Sequence, residues 1–201
     1  MKCQRIIICT NISQLSEKRL VLNSLLNCEM LMYKLLWSCM GFVMCTAHVT
    51  FTNLKCTFLN ESLGEFKICR IRAVNRTHKY ISIYSKPKII LDDITGNMKI
   101  MRYDYGYKPF FIDITIDVCK YLKNPQNVIV TTFYNTFKKM SNINHTCPYK
   151  HDVIVDKVWT GNLENDFSRY LPIPNGDYAI YCTFNVSNVE LVKIFIYVRK
   201  S

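Results

Sequence analysis

Apolar and polar residues alternate along most of the chain after residue 50, in short segments that predict β-strands. The clearest is residues 110–118, where the isoleucines at 112, 114 and 116 share one face and Asp113, Thr115 and Asp117 share the other. Because successive side chains on a strand point to opposite faces, this pattern predicts a half-buried strand. The β-branched segment 153–159 predicts another strand.

Further segments carry the same period of two residues. They are residues 51–58, 65–74, 80–84, 88–91, 98–103, 178–186 and 191–199. Pro87 separates two of them, and turn-forming residues at 92–97, 104–109 and Asn175-Gly176 separate others. About eight antiparallel strands at this spacing predict an all-β, immunoglobulin-like sandwich formed by one domain.

One segment, near residues 125–140, has the period of a helix. Asn124-Pro125 is typical of a helix start. Ile129, Phe133 and Phe137 then recur every four residues, and Lys138 falls in the last turn, where the helix dipole favours a cation. This apolar stripe can pack into the core or face a ligand, and core packing is the simpler interpretation.

A signal peptide is predicted well inside the sequence. An uncharged run of 11 residues, 35–45, follows Lys34, and Cys45-Thr46-Ala47 places small residues where a signal peptidase cleaves. The run is shorter than the roughly 20 apolar residues of a membrane span. We therefore expect a signal helix at residues 32–47 and a mature domain at residues 48–201.

Residues 1–31 do not fit in front of a signal peptide, since they mix charged and apolar residues. Our hypothesis is that translation starts at Met32 or Met30, with residues 1–31 an artefact of the gene assignment. The alternative is a cytosolic helix across residues 14–45.

Five of the ten cysteines fall in the expected mature domain. An odd number in an oxidising compartment predicts two disulfides and one thiol. Cys182 shares an apolar strand face with its neighbours, and a buried thiol behaves as a small hydrophobe. We therefore predict that Cys182 is free and that the pairs are Cys56–Cys69 and Cys119–Cys147. A Cys56–Cys182 pair remains the main alternative.

Four Asn-x-Ser/Thr sequences, at Asn60, Asn75, Asn144 and Asn185, are acceptors for N-linked sugars in a secreted protein. Together with the leader and the cysteines they predict an extracellular glycoprotein. Any asparagine that carries a glycan must face solvent.

Several function classes lack a signal in this sequence. No Gly-x-Ser-x-Gly or phosphate-binding loop occurs, so no enzyme and no cofactor are predicted. His145, Cys147 and His151 lie close together, but their spacing matches no standard zinc pattern. The net charge is +11, yet the basic residues are scattered and form no nucleic-acid module. The charge favours anionic lipid head groups, glycans or acidic partners instead.

Four motifs in order resemble a large insect family of small secreted proteins without an assigned biochemical function. They are Asn53-Leu54-Lys55-Cys56, Tyr107-Lys108-Pro109-Phe110 with Asp117-Val118-Cys119, residues 141–149, and Leu171-Pro172 with Gly176-Asp177-Tyr178. That family includes relatives of the chemosensory-bristle B group and is thought to be a distant relative of the ML lipid-recognition domain. The resemblance implies an ML-like sandwich, and the family motif contains Cys56, Cys69, Cys119 and Cys147 but not Cys182.

What the resemblance implies about function is binding of a small apolar ligand, such as a lipid, a hydrocarbon or a pheromone, in a chemosensory response. Inward-facing residues are the candidates to line the pocket, the alternative being that they simply fill the core: Ile112, Ile114, Ile116, Phe133, Phe137, Tyr178, Ile180, Phe184, Val192, Ile194 and Ile196. A fold does not establish a function. The second hypothesis is therefore an interaction module that binds a receptor or cell-surface protein without a lipid.

The first prediction concerns processing. Amino-terminal sequencing of the protein secreted by its natural source should begin at His48, because cleavage is expected after Ala47. A secreted product that retains Met1 would contradict both the internal leader and the proposed start.

Overall fold

The alternating segments of the sequence form eight antiparallel strands in two sheets in the computed structural model. The structure describes residues 48–75, 78–162 and 173–201. The predicted signal helix and the predicted extension both lie outside the described residues. Within the described part, the prediction of an all-β sandwich is confirmed, and no helix there is long and apolar enough to span a membrane.

The larger sheet consists of β1 (Val49–Phe58), β4 (Ile94–Tyr103), β5 (Tyr107–Asp117), β7 (Gly176–Val186) and β8 (Val189–Lys200). The smaller sheet consists of β2 (Gly64–Ala73), β3 (Lys79–Pro87) and β6 (Val153–Trp159). The strand order is β1-β8-β7-β4-β5 in the larger sheet and β2-β3-β6 in the smaller. The core lies where the two inner faces meet, with Phe51, Ile100 and Tyr178 each about 1% exposed.

Two local predictions about strands are wrong. Residues 88–91 form no strand, and only Leu91 makes an isolated antiparallel pair, with Tyr149. Residues 92–97 are not a turn throughout, because β4 begins at Ile94, a buried core residue. Gly96 lies inside that strand, where an added Cβ would come within 3.1 Å of Val118 and 3.4 Å of Phe184. This glycine marks close packing and not a turn.

The predicted helix is confirmed as α2 (Val128–Lys138), which follows a shorter helix, α1 (Val118–Lys123). Asn127 and not Asn124-Pro125 caps α2, since its side chain accepts a hydrogen bond from the backbone N–H of Val130. The expectation of one helix is wrong, as α1 and a three-residue turn, α3 (Thr160–Asn162), are also present. Asp117 caps α1 by accepting from the N–H of Lys120 at 2.9 Å.

The two longer helices cover the edge of the sandwich at β5. Tyr121 of α1 and Val130 and Tyr134 of α2 form a buried cluster, against which Ile114 and Ile116 of β5 pack. The Tyr121 hydroxyl donates to the Thr131 hydroxyl oxygen at 2.9 Å. The Tyr134 hydroxyl donates to a backbone carbonyl in the segment that follows α2.

Both predicted disulfides are present, and Cys182 is the free cysteine among the described residues. Cys56–Cys69 joins β1 to β2, which are edge strands of the two sheets. Cys119–Cys147 joins α1, which follows the opposite edge strand β5, to the segment that leads into β6. The crosslinks therefore lie at opposite edges of the sandwich.

The second prediction concerns these crosslinks. Loop-closure entropy gives about 3 kcal/mol for the 13-residue separation of Cys56–Cys69. It gives about 3.5 kcal/mol for the 28-residue separation of Cys119–Cys147. Urea unfolding of the Cys56→Ser/Cys69→Ser and Cys119→Ser/Cys147→Ser variants should show losses of this size. Cys182→Ala is the control, because its unfolding should remain as sensitive to reductant as that of the unchanged protein.

A candidate ligand cavity between the sheets

A cavity of about 190 Å³ lies between the two sheets, and every strand except β5 contributes to its lining. Its wall on the larger sheet comes mainly from β7 and β8. Because side chains on these strands alternate, Ile180, Cys182 and Phe184 face the cavity together, and so do Ile194 and Ile196 of β8. This wall is entirely uncharged.

The smaller sheet supplies the opposite wall by the same alternation. Ile81 and Ile83 of β3 face the cavity beside Val153 and Val155 of β6. Phe66 of β2 adds an aromatic ring. The wall therefore presents mainly hydrocarbon to the interior, with the hydroxyl of Ser85 of β3 as its one polar side-chain group among the described residues.

Aromatic rings of two further pairs surround the cavity. Phe133 and Phe137 of α2 pack edge to face, with ring centroids 5.6 Å apart. The ring centroids of Phe58 and Phe66 are 4.8 Å apart, and a Cβ added at Gly64 would fall 2.5 Å from the Phe58 ring. Gly64 therefore leaves the space in which the Phe58 ring lies.

Few polar atoms reach the cavity, and two of the hydroxyls there already donate within the protein. Thr136 donates to the carbonyl oxygen of Phe133 at 2.7 Å, and Tyr149 donates to the carbonyl oxygen of His145. Burial raises the pKa of the Cys182 thiol to about 12 and is also the main cause that raises the pKa of Tyr149 to about 12. Both groups are therefore neutral at physiological pH, and Ser85 adds one neutral hydroxyl.

Seven of the residues predicted from sequence as pocket candidates do line this cavity: Phe133, Phe137, Ile180, Phe184, Val192, Ile194 and Ile196. Four others lie elsewhere. Ile112 is buried in the core, Ile114 and Ile116 pack against the helices, and Tyr178 donates to the carbonyl oxygen of Pro174 at 2.8 Å. The helices cover Ile114 and Ile116 of β5, and neither side chain lines the cavity.

Sequence reasoning missed the lining contributed by β3, β6 and the segment before β6, including Ile143 and Tyr149. The alternation of Ile81 with Ile83 and of Val153 with Val155 was a usable signal for the strands. No local pattern in the sequence marks Ile143 and Tyr149, because only the Cys119–Cys147 crosslink and the turn of the chain bring them over the cavity.

The four sequence positions expected to carry sugars differ in exposure. Asn60, Asn75 and Asn144 are exposed, whereas Asn185 is only partly exposed. Asn60 Oδ1 accepts hydrogen bonds from both the backbone N–H and the hydroxyl of Ser62. Asn185 Oδ1 is a buried oxygen without a hydrogen-bond partner among the described residues. Glycosylation is therefore sterically easiest at the first three positions.

The chain matches a family model and is similar to solved structures. A family model described as "Protein of unknown function (DUF1091)" matches residues 96–180. Among solved structures, the chain is similar to a Niemann-Pick type C2 protein from the Japanese carpenter ant, with 15% sequence identity and a TM-score of 0.30. That similarity covers 78% of this chain and 95% of the ant protein. No curated protein matches the chain at a significant level.

Proposed function

We propose that this protein is a secreted glycoprotein that binds a small apolar ligand, a lipid or a hydrocarbon, in the cavity between its sheets. The observation that carries the proposal is the unfilled space between two apolar walls. Protein interiors normally pack as densely as organic crystals, with few voids larger than a water molecule. A cavity of about 190 Å³ is well above that size.

The size of the cavity sets the part of a ligand that it can hold. An engineered apolar cavity of about 150 Å³ stays dry and binds benzene. A cavity of about 190 Å³ has room for a somewhat larger hydrocarbon segment. A longer acyl or alkyl chain requires the surrounding phenylalanine rings, such as Phe133 and Phe137, to move or the chain end to remain outside.

The chemistry of the lining sets the charge of the bound segment. An ionised group buried without a partner costs several kcal/mol or more. The cavity offers no charged side chain, and the Thr136 and Tyr149 hydroxyls donate within the protein. The bound part of the ligand is therefore hydrocarbon, and any charged head group stays in solvent. A hydrocarbon pheromone in a chemosensory response is one ligand with this chemistry.

Secretion is supported by the crosslinks and the acceptor sequences. Disulfides persist in oxidising compartments, and the described residues include two, which join cysteines 13 and 28 positions apart in sequence. Asn60, Asn75 and Asn144 are exposed as N-glycosylation requires. Residues 48–201 are then the mature lipid- or hydrocarbon-binding domain.

The third prediction tests the cavity with two neighbouring residues of β6. Val155 faces the cavity, whereas Ile154 points away from it and is 40% exposed. Val155→Trp should fill the cavity and lower the affinity for a fluorescent long-chain hydrocarbon probe at least tenfold, roughly 1.4 kcal/mol. Ile154→Trp adds the same ring to the same strand. It should leave the affinity within about twofold, since the side chain at position 154 points away from the cavity.

Native mass spectrometry of the protein secreted from insect cells gives an independent measurement. A co-purifying lipid or hydrocarbon should be present in the unchanged protein and in Ile154→Trp and absent from Val155→Trp. If no ligand co-purifies and no apolar probe binds, these residues only fill the core and the carrier function is wrong.

A second candidate function rests on the outer face of the larger sheet. Five aromatic residues there form a contiguous group, which we call the aromatic patch: Tyr103, Tyr107, Tyr181, Phe195 and Tyr197. Their neighbouring ring centroids are 4.2 to 6.4 Å apart, and Tyr103 is 54% exposed. Aromatic residues are enriched at protein interfaces, and no asparagine of the four acceptor sequences belongs to the patch. This surface favours binding to a receptor or another cell-surface protein.

The fourth prediction tests the aromatic patch. Proximity labelling with the unchanged chain first identifies its partner proteins. Tyr103→Ser combined with Tyr197→Ser should then weaken binding to these partners at least tenfold, because interface hot spots contribute about 2 kcal/mol or more. Ile154→Ser, on the outer face of the other sheet, is the control. Equal labelling by both variants would exclude the patch as an interface.

A further inference from the structure

Two histidines meet on the surface in the segment between α2 and β6. The Nε2 atoms of His145 and His151 are 2.9 Å apart, although the residues are separated by six positions in sequence. Both side chains are exposed, and their ring centroids are 5.2 Å apart. Neither residue belongs to the lining of the cavity, so their arrangement has to be explained separately.

The second nitrogen of each ring is bound to a backbone carbonyl. His145 Nδ1 lies 2.7 Å from the carbonyl oxygen of Thr146, and His151 Nδ1 lies 2.8 Å from that of Asp152. A carbonyl oxygen only accepts, so each Nδ1 carries the proton and donates it. In a neutral imidazole the other nitrogen, Nε2, is then an unprotonated acceptor.

The neighbouring amide supports this assignment for His151. Asn142 Oδ1 accepts from the backbone N–H of Ile154 at 2.8 Å, so the amide is oriented with Nδ2 towards Asp152. Asn142 Nδ2 donates to the Asp152 carbonyl oxygen at 2.7 Å. Asn142 and His151 thus donate to one acceptor, which accounts for the 3.2 Å between Nδ2 and Nδ1.

Two unprotonated nitrogens therefore lie at hydrogen-bonding distance from each other. Two lone pairs repel at this separation unless both interact with one shared cation. Either one extra proton or a metal ion can supply the charge. Metal-binding histidines almost always donate their other N–H to a carboxylate, a backbone carbonyl or water, and His145 and His151 both donate to backbone carbonyls.

The surrounding structure holds the two rings in place without a ligand. Tyr149 is only 2% exposed, and its ring stacks on His145 with centroids 4.3 Å apart. The Tyr149 hydroxyl donates to the carbonyl oxygen of His145. The Tyr149 ring also packs edge to face with the His151 ring, with centroids 5.5 Å apart. Cys147, between the two histidines, is crosslinked to α1. A site built in advance loses less conformational entropy when it binds an ion.

We infer that His145 and His151 form a binding site for a divalent first-row transition-metal ion, with Cu²⁺ as the best fit. Metal–nitrogen bonds of about 2.0–2.1 Å with the nitrogens 2.9 Å apart give a nitrogen–metal–nitrogen angle of about 90°. That angle suits the tetragonal geometry of Cu²⁺ or Ni²⁺ better than the tetrahedral geometry of Zn²⁺. Among divalent ions of this row, nitrogen ligands bind Cu²⁺ most tightly.

The chain supplies two ligands to such an ion. The described residues contain no group of three or more His, Cys, Asp or Glu side chains that could hold a metal. Water or a small anion therefore completes the coordination, and the site remains open to solvent. The sequence has two other histidines, His48 and His78. His78 provides the matched control. His48 is the expected amino-terminal residue of the secreted chain, where its imidazole and the terminal α-amine can chelate Cu²⁺ by themselves, so it is replaced by alanine in every protein tested.

The fifth prediction tests this site with the full secreted chain carrying His48→Ala, here the reference chain, and Cu²⁺ as the probe. Isothermal titration should show one tightly bound Cu²⁺ per reference chain, and electron paramagnetic resonance should show coupling to two imidazole nitrogens. His145→Ala and His151→Ala, each added to the reference chain, should weaken binding at least about tenfold, since even the loss of an outer-sphere partner costs that much. His78→Ala, added in the same way, should leave the binding of Cu²⁺ unchanged.

The spectrum of the reference chain keeps both His145 and His151, so it tests the pair without altering the site. Circular dichroism and disulfide mapping check that each variant is folded. The inference is wrong if the reference chain shows no signal from two imidazoles, in which case the pair shares only a proton. It is also wrong if His78→Ala, and not His145→Ala or His151→Ala, removes the bound copper.

Discussion

Two crosslinks at opposite edges of the sandwich are the constraint on which the rest of the structure depends. Cys56–Cys69 joins edge strands of the two sheets, and Cys119–Cys147 joins α1 to the segment before β6. Between the edges, the inner-face side chains of the described strands leave a cavity. A domain with an incompletely filled core loses packing energy, about 24 cal/mol for each Å³ of void. The disulfides offset such a loss by restricting the unfolded chain.

The segment from Cys119 to Cys147 connects the features that bear on function. It contains α1, α2 and the turn to β6, and it places Phe133, Phe137 and Ile143 over the cavity. Tyr149, which lies two residues after Cys147, lines the cavity, and its ring also stacks on that of His145. The cavity and the histidine pair therefore share one structural support, while the aromatic patch lies on the far face of the larger sheet.

Much of the architecture could be predicted because alternation is a local property. Ile180, Cys182 and Phe184 had to share a face of any strand that contained them, and the cavity confirms that they do. Ile112, Ile114 and Ile116 show where this reasoning ends, since Ile112 lies in the core whereas the helices cover Ile114 and Ile116. Alternation identifies the inner face of a strand but not which element packs on it. The short helix α1 is not predicted, because Asp117 both ends β5 and caps the helix, and its alternation with Ile116 indicates only the strand.

The sequence by itself determined the strand periodicity, the amphipathic helix and the presence of one cysteine on an apolar face, because each follows from neighbours along the chain. Only the tertiary structure decided that the two inner faces leave a cavity, since the distance between sheets depends on side chains from opposite strands. It also decided that His145 and His151 meet at their Nε2 atoms. Their spacing matches no metal motif, and it is the turn around Tyr149, fixed by stacking and by the crosslink at Cys147, that brings the two rings together.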